Sequence, residues 1–330
     1  VQLAAASNLF RIPGPLSPAE YAADAQGANP TYLARDERRF NRLMRLGVTL
    51  DQPIGKSQDI AAMLFINPKY LQRSERNTFR DFTRYHVGGS GSWGSRFTAA
   101  GVEHRLRAGG DFAFQDGSIQ FYDLTPEGTR GTNLRANKGE GAQNAGAFIQ
   151  DELALTDRVT LVIGARYDDL AYFYRDYIDP TIDASRRFQR LTPRGGLSWR
   201  VGTTTSLYAS YGGGVEIPAG NETDPPATGI PGPATALSPL LDPILSHTIE
   251  AGVRRHAFFT TGFVRSFSVD AALYRTVVNG EPVPYNSGRF YLTAGEVERR
   301  GLELGVGGAF AAGLSARLTG TFSTNTYERY

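Results

Sequence analysis

Residues 143–168 read QNAGAFIQDELALTDRVTLVIGARYD, two alternating runs joined by the polar residues Thr156, Asp157 and Arg158. In the second run one set of alternate positions is apolar, and it consists of Val159, Leu161, Ile163, Ala165 and Tyr167. The other set consists of Thr160, Val162, Gly164, Arg166 and Asp168, in which Val162 is the apolar exception. A period of two places the two sets on opposite faces of a strand. The stretch therefore predicts a β-hairpin with one apolar face and one polar, charged face.

The same alternation recurs along most of the chain and predicts about thirteen strands. The predicted strands are residues 1–8, 40–51, 59–67, 82–93, 97–114, 143–155, 159–168, 191–201, 206–217, 244–255, 264–277, 295–310 and 314–327. No helical pattern lies between consecutive strands, which argues against an architecture of alternating strands and helices. The sequence therefore predicts an all-β protein.

The lengths of the connections indicate where such a sheet sits. After the first strand the connections alternate between long and short. The first long connection ends near residue 38, and the other long ones cover residues 69–80, 115–141, 172–187, 218–243 and 279–293. The short ones include residues 53–57, 94–95, 156–158, 202–204 and 311–313. Outer-membrane barrels have short periplasmic turns and long extracellular loops, and a meander in lipid must close because every backbone group must be paired. The pattern predicts a transmembrane antiparallel up-and-down β-barrel.

Composition excludes several other classes. The chain has 35 Lys and Arg residues against 33 Asp and Glu residues, so it lacks the basic excess of a nucleic-acid-binding protein. It contains no cysteine, which excludes disulfide scaffolds and thiolate metal sites. No apolar run has the length of a membrane helix. The sequence opens on strand-like residues without a signal peptide, so we expect a mature protein, a fragment or a cytoplasmic protein.

Several motifs resemble those of the TonB-dependent outer-membrane receptor family. In that family a strand ending in a Gln-Asp-Glu triplet, as at residues 150–152, precedes a short turn and a strand of the type Gly-x-Arg-Tyr-Asp, as at residues 164–168. Further similar segments are LTPRGGL at 191–197, LYASYG at 207–212, EAG at 250–252 and RGLEL at 300–304. These five matches follow the family's order, and the resemblance covers roughly residues 40–327.

The resemblance implies a bacterial outer-membrane receptor that imports a ferric siderophore or a similar scarce chelate. Its barrel would have 22 strands, and its lumen would hold an amino-terminal plug through which the TonB–ExbB–ExbD complex supplies energy. Barrels of that size are plugged rather than open. Because no plug precedes Val1 and the chain ends just after a strand, we expect residues 1–330 to be a partial barrel domain. The plug and the terminal strands would lie outside it.

Charged residues on the polar positions of the strands are candidates for the lumen wall. They are Arg166, Asp168, Arg194, Arg200, Glu303 and Arg317. Such residues either form a solvated or plug-facing wall or contact substrate in transit.

The long connections carry aromatic and arginine clusters that are candidates for substrate binding. These are Tyr70, Arg73, Arg76 and Arg80, then Tyr172, Tyr174, Arg175 and Tyr177, then Tyr285, Arg289 and Tyr291. Arginine offers a forked set of donors for carboxylates and other anions, and tyrosine offers a rigid surface with a polar tip. The clusters suit an anionic, partly aromatic iron chelate at one rim of the barrel. The alternative is an ordinary aromatic girdle with solvated loop residues.

Two other functional classes are alternatives to an energy-coupled receptor. A passive porin or adhesin would share the barrel without energy coupling. An outer-membrane enzyme finds little support, because the histidines His86, His104, His247 and His256 show no metal-ligand spacing. Ser246 and His247 are sequence neighbours and would point to opposite faces of a strand. The GSGSWG segment at 89–94 matches a dinucleotide-binding fingerprint, but it lies in a predicted strand and opens no helix. We expect no catalytic site, no metal site and no cofactor.

Overall fold

The computed structural model describes residues 1–75, 77–216, 242–285, 290–293 and 295–329. Its main feature is one antiparallel sheet of thirteen strands, in which each strand pairs with the next strand of the sheet along the chain. Two further short strands form a separate hairpin in the connection between the eleventh and twelfth strands of this sheet. Within the described residues the first and last strands of the sheet each pair with one neighbour. The structure confirms the up-and-down meander predicted from the sequence.

The strands of the main sheet are β1 (Gln2–Arg11), β2 (Arg38–Ile54), β3 (Gln58–Glu75), β4 (Thr78–Ala99), β5 (Val102–Leu124), β6 (Arg130–Thr156), β7 (Val159–Asp176), β8 (Ala184–Arg200), β9 (Thr205–Glu216), β10 (Ile244–Phe258), β11 (Val264–Asn279), β14 (Glu296–Phe310) and β15 (Ser315–Arg329). The small hairpin consists of β12 (Pro282–Tyr285) and β13 (Phe290–Thr293). Two short helices, α1 (Pro18–Ala23) and α2 (Pro30–Ala34), lie between β1 and β2. Among the described residues, no helix is long and apolar enough to cross a membrane.

The pairing register brings the apolar positions of successive strands onto one face of the sheet. Val48 pairs with Leu64, and Leu273 pairs with Leu302; residues opposite each other share a face. We call this apolar side the outward face and the other side the inward face. On β7 the outward apolar run extends from residue 159 to residue 167, which is close to the length of strand that crosses a membrane. Leu64 is 67% exposed, as expected for a side chain whose neighbour would be lipid.

The inward face carries the charges predicted for the lumen wall. The register places the following residues on that face: Arg166, Asp168, Arg194, Arg200, Glu303 and Arg317. Arg166 reaches across β6 to Asp111 of β5, with Nη2 2.7 Å from Oδ2, and its Nε donates to Asp168 over 2.7 Å. It passes over Gly146, where an added Cβ would lie 2.1 Å from Arg166 Nη2. A side chain at residue 146 would displace the Arg166 guanidinium from this position.

Successive connections alternate between the two ends of the sheet, because the strands form a meander. The connection between β3 and β4 and those at residues 12–37, 125–129 and 177–183 share one end, and those at 55–57, 100–101, 157–158 and 201–204 share the other. We call these the extracellular end and the periplasmic end, after the orientation predicted from the sequence. The alternation of connections between the two ends agrees with the prediction.

The strands extend much further at the extracellular end than predicted. Strand β6 has 27 residues, roughly 90 Å at about 3.3 Å per residue, whereas about 9–11 residues cross a membrane. Most of the residues predicted as loops at 69–80, 115–141 and 172–187 therefore belong to strands, and the described residues between these strands are reduced to Asn77, 125–129 and 177–183. Beyond the apolar band the outward positions need not be apolar, so the apolar alternation that reveals a spanning strand is weaker there.

One predicted turn is misplaced. The turn predicted at residues 94–95 lies inside β4, and the chain reverses instead at Ala100 and Gly101. Both residues have positive φ angles, 49° and 80°, as a two-residue hairpin turn of type I′ requires. Gly94 is a strand glycine, and a Cβ at that position would meet Asp59 Oδ1 at 2.6 Å.

Candidate functional site

The predicted substrate-binding residues that the structure describes lie near the extracellular end, but they divide between the two faces. Arg73, Arg80, Tyr172 and Tyr174 lie on the inward face. These four residues share the face of the predicted lumen charges.

The remaining predicted residues are placed differently. Tyr70 and Arg175 lie on the outward face, where the Tyr70 hydroxyl lies 3.4 Å from Asp81 Oδ2 and Arg175 lies 3.8 Å from Asp116. Tyr177 follows β7, and the backbone of Tyr285 and Tyr291 belongs to the small hairpin at this end. Arg76 and Arg289 lie outside the described residues. The described members lie near one end of the sheet, and their common role in binding stays a prediction.

The inward face at the extracellular end carries six cationic side chains on β2, β3, β4 and β6. We call them the cationic cluster: Arg39, Lys69, Arg73, Arg80, Arg84 and Lys138. The register aligns Arg39 with Arg73 and Arg73 with Arg80 in one row, and Lys69 with Arg84 in a second row. Alternation along each strand thus collects these charges on one surface.

An apolar floor lies between the rows of cations. Leu71 pairs with Phe82, and Phe82 pairs with Ile119. Leu71 is 8% exposed and Ile119 is 2% exposed, so both are buried although they lie on the polar face. A cavity of about 220 Å³ opens here, lined by Arg39, Lys69, Leu71, Arg73, Arg80, Phe82 and Arg84. The surface therefore combines apolar contact area with positive charge.

Aromatic rings hold two of the cations in place. The guanidinium of Arg80 lies 4.9 Å from the centre of the Phe121 ring. The ammonium of Lys138 lies 5.3 Å from the Tyr174 ring, whose hydroxyl donates to Asp176 over 3.2 Å. A cation within about 6 Å of a ring face is attracted by the ring's quadrupole. These contacts order long side chains that would otherwise lose entropy on binding a ligand.

Glu140 is the carboxylate that joins the cluster across β5. Its Oε2 accepts a hydrogen bond of 3.2 Å from Arg84, and its Oε1 lies 2.6 Å from Lys138 Nζ. Arg84 reaches it over Gly117, where a Cβ would lie 2.1 Å from the carbonyl oxygen of Thr83. Gly117 therefore allows a cation on β4 and a carboxylate on β6 to meet.

Replacing Gly117 by valine is expected to abolish the interaction between Arg84 and Glu140. A double-mutant cycle in the otherwise unaltered receptor should give a coupling of roughly 0.5–1 kcal/mol for this half-buried pair and a value near zero in the Gly117→Val background. Free energies of unfolding in urea provide the measurement. Gly91→Val is the control, because a Cβ there meets no atom within 4 Å. A coupling unchanged by Gly117→Val would show that the pair does not depend on this crossing.

The connection at residues 12–37 borders the cluster. Its exit is anchored to β3, because Arg38 N donates to Ser74 Oγ over 2.9 Å. Its two ends are joined by a hydrogen bond of 2.7 Å, which the backbone N–H of Ile12 donates to the backbone carbonyl oxygen of Glu37. Asp36 accepts hydrogen bonds from Arg11 and Arg38, and the hydrogen bond from Arg11 is the main cause that lowers the pKa of Asp36. This connection is folded against the extracellular ends of the strands.

Histidines contribute little to this surface. His104 lies on the outward face, 2.6 Å from Asp151, and stacks on Phe97 with ring centres 4.9 Å apart. Ser246 and His247 lie on opposite faces of β10, as the sequence predicts. The described parts of the chain contain no group of three or more His, Asp or Glu side chains arranged to hold a metal ion.

Sequence reasoning missed four members of the cluster, namely Arg39, Lys69, Arg84 and Lys138. For two of them a signal was present, because Lys69 lies four positions before Arg73 and Arg84 lies four positions after Arg80, and positions an even number apart share a face of a strand. Alternation continued through the predicted loop would have placed both pairs on the inward face. It would also have placed Tyr70 outward.

The sequence matches the family model described as TonB-dependent receptor-like β-barrel over residues 12–330. No match was found among curated protein sequences.

Solved structures with a similar fold share little sequence with this chain. The ferric citrate transporter FecA in its unliganded form is 15% identical, with a TM-score of 0.75 over 99% of this chain and 48% of FecA. The siderophore receptor PiuA from Acinetobacter baumannii is 14% identical, with a TM-score of 0.68 over 89% of this chain and 48% of PiuA. The copper transporter OprC is 16% identical, with a TM-score of 0.66 over 88% of this chain and 46% of OprC. The chain thus spans about half the length of these proteins.

Proposed function

The chain belongs to the TonB-dependent receptor-like β-barrel family of the bacterial outer membrane, and we propose that it is part of a receptor that imports an anionic ferric siderophore or a similar scarce metal chelate with energy from TonB. In this proposal residues 1–330 form part of the barrel wall, and the plug on which the TonB–ExbB–ExbD complex acts is supplied by sequence outside them. The coverage of 48% of FecA supports this division.

The cationic cluster is the observation that carries the proposal. It gathers six cations on the inward face at the extracellular end, where a ligand from outside the cell arrives first. The six cations of the cluster outnumber the inward carboxylates Glu140, Asp176 and Asp123 of the neighbouring strands. Arginine pairs with carboxylates and other planar anions through two parallel hydrogen bonds. Phe82 and Phe121 provide apolar contact for the body of a chelator.

The composition of the wall favours a chelated hard metal over a bare soft metal. Copper in proteins prefers thiolate, thioether and imidazole ligands, whereas this chain has no cysteine, two methionines and four dispersed histidines. In a ferric chelate the chelator's own oxygens hold the metal, so the receptor needs only to recognise the chelator's outer surface. The cluster supplies donors and charge for that purpose. Import of this kind needs no covalent chemistry from the wall.

The proposal is tested by uptake in cells with and without an active TonB system. The full-length receptor, expressed in a host that lacks its own siderophore receptors, should take up radiolabelled ferric chelates of the anionic citrate, hydroxycarboxylate or catecholate type. Uptake should fall to background in the strain without TonB. Equal uptake in both strains would contradict energy coupling and favour a passive pore, and uptake of none of the anionic chelates would contradict the substrate class.

Binding is also expected to depend on salt. Raising sodium chloride from about 50 mM to 500 mM shortens the screening length by about threefold and should raise the Kd for an anionic chelate by roughly tenfold. A neutral hydroxamate chelate of similar size is the control, and its Kd should change by less than about twofold. Tryptophan fluorescence or calorimetry on the purified receptor gives both values. Equal effects of salt on the Kd values of the two ligands would show that the charge of the cluster does not contribute to recognition.

A further inference from the structure

The cavity of about 220 Å³ in the cationic cluster has a lining of two opposite kinds. Its floor is formed by Leu71 and Phe82, and the Phe82 ring meets the Phe121 ring edge to face with ring centres 6.0 Å apart. The rest of the lining is cationic and consists of Arg39, Lys69, Arg73, Arg80 and Arg84. Among the described residues no carboxylate lines this cavity. We call it the Phe82 pocket.

The pairing register explains how this lining arises. One row of cations lies towards the extracellular rim, a second row lies four residues further along the strands, and Leu71 and Phe82 lie midway between them. The first row is Arg39, Arg73 and Arg80, and the second is Lys69 and Arg84. Four residues correspond to about 13 Å along a strand. The pocket is therefore an apolar strip with positive charge above and below it.

The neighbouring carboxylates lie to one side of the pocket. At this height of the sheet they are Asp123 on β5, Glu140 on β6 and Asp176 on β7, whereas the lining belongs to β2, β3 and β4. Glu140 accepts from Arg84, as described above, and Asp123 pairs with Arg135. With five cations in the lining, the pocket itself is positively charged.

The volume of the Phe82 pocket suits one ring and not a whole chelate. An apolar cavity of roughly 150 Å³ is large enough to hold benzene, whereas sites for complete small molecules measure roughly 300–1,000 Å³. At about 220 Å³ the pocket lies between these sizes. It therefore has room for a single substituted ring that belongs to a larger ligand.

The lining favours a flat group that is apolar on its faces and anionic at its edge. Phenylalanine packs against another ring face to edge or offset, and guanidinium groups stack on aromatic faces and pair with oxyanions. An aliphatic carboxylate would use the cations but would bury its polar atoms against Leu71 and Phe82, which is costly. A hydrocarbon would use the floor and leave the cations without an anion. An aryl group with anionic oxygens satisfies both parts of the lining.

We propose that the Phe82 pocket is the subsite for one aryl arm of the chelator, of the catecholate or hydroxybenzoate type, and that it selects aryl chelates over aliphatic ones. This inference rests on the proposed function and narrows its substrate class. The metal and the other arms lie outside the pocket, on the inward surface where the Lys138 ammonium lies 6.0 Å from the centre of the Phe121 ring. The competing occupant is a side chain of the plug that fills the pocket permanently.

Two ligands of equal formal charge test the preference for rings. The iron(III) complex of a synthetic tripodal tricatecholate contains aryl arms, whereas iron(III) tris-oxalate contains none. The purified full-length receptor should bind the tricatecholate complex roughly tenfold more tightly or better, a difference of at least about 1.4 kcal/mol. Free 2,3-dihydroxybenzoate should compete with that complex, and cyclohexanecarboxylate, which has the same charge and no aromatic ring, should not. Calorimetry measures both.

Filling the pocket without changing its charge tests its location. Leu71→Trp is expected to raise the Kd of the tricatecholate complex by roughly tenfold and that of tris-oxalate by less than about twofold. Gln72→Trp is the matched control, because Gln72 is the next residue of β3 and lies on the outward face opposite Asp81. It should leave both Kd values unchanged. Phe82→Leu removes the ring without adding bulk, and it should produce the same selective loss.

Three results would contradict the inference or its premise. Equal or tighter binding of tris-oxalate by the unaltered receptor would overturn the aryl subsite and leave the proposed function in place. Loss of both ligands together with a lower melting temperature, in Leu71→Trp and in Phe82→Leu alike, would assign the pocket to the plug. Binding of no anionic ferric chelate by the unaltered receptor, ferric citrate included, would instead contradict the proposed function.

Discussion

Reversing the charge of Arg80 and Arg84 together, as Arg80→Glu/Arg84→Glu, is expected to weaken binding of an anionic ferric chelate by at least 100-fold. The two side chains lie on the inward face of β4, and Arg84 already shares Glu140 with Lys138. Glutamates at both positions would add two carboxylates beside Glu140 and remove two forked donors. A 100-fold loss corresponds to about 2.7 kcal/mol. Calorimetry with the purified full-length receptor measures the change.

Arg175→Glu is the matched control for this experiment. Arg175 lies near the same end of the barrel but on the outward face, 3.8 Å from Asp116. Its reversal should change the Kd by less than about threefold. The conservative Arg84→Lys variant keeps the charge but loses the forked geometry. Its loss of affinity should therefore lie between that of Arg175→Glu and that of the double variant. Losses of similar size in Arg175→Glu and in the double variant would mean that overall charge, rather than the inward cluster, attracts the ligand.

The fold was largely predictable because the membrane imposes a simple rule on the spanning strands. Within the band that faces lipid, outward positions must be apolar and inward positions are free to be polar. The run from Val159 to Tyr167 shows this rule, and the family match over residues 12–330 confirms the transmembrane β-barrel it predicts. The inward placement of Arg166 and Asp168 followed from the same alternation.

The candidate site was less predictable because it lies above that band. Residues 118–124 and 130–140 lie beyond the apolar band, where neither face needs a continuous apolar row, and the hairpin was therefore predicted as a loop. The turn at Ala100 and Gly101 was missed for a different reason. Its first residue is an alanine with φ of 49°, whereas the usual hairpin signal places Asn, Asp or Gly there.

Contacts between strands that are not adjacent could not be read from the sequence at all. The link from Arg84 to Glu140 crosses β5 at Gly117, and it depends on the register of two separate strand pairs. Alternation within one strand gives the face of a residue but not its height relative to a residue two strands away. Only the assembled sheet brings such residues together.

Two adjacent residues of β3, Met63 and Leu64, test which face of the sheet meets lipid, because a large loss of stability is expected for an arginine at only one of them. Leu64→Arg should destabilise the receptor in a bilayer by roughly 2–4 kcal/mol, the cost of an arginine on the lipid face near the midplane of a barrel. Leu64 is 67% exposed and lies in the middle of the outward apolar run of β3 between Ile60 and Ile66. Urea unfolding of the full-length receptor refolded into lipid vesicles measures the loss.

Met63→Arg is the matched control, because Met63 is the preceding residue, is 39% exposed and lies on the inward face opposite Ser90. There an arginine would keep its charge in a polar, water-accessible lumen, so the free energy of unfolding should change by less than about 1 kcal/mol. The two variants add the same side chain one residue apart, and a period of two sends that side chain to opposite faces. If Met63→Arg were the more costly change, the assignment of the apolar face to lipid would be reversed. The inward position of the cationic cluster would then also be wrong, because Lys69 and Arg73 lie on the same face as Met63.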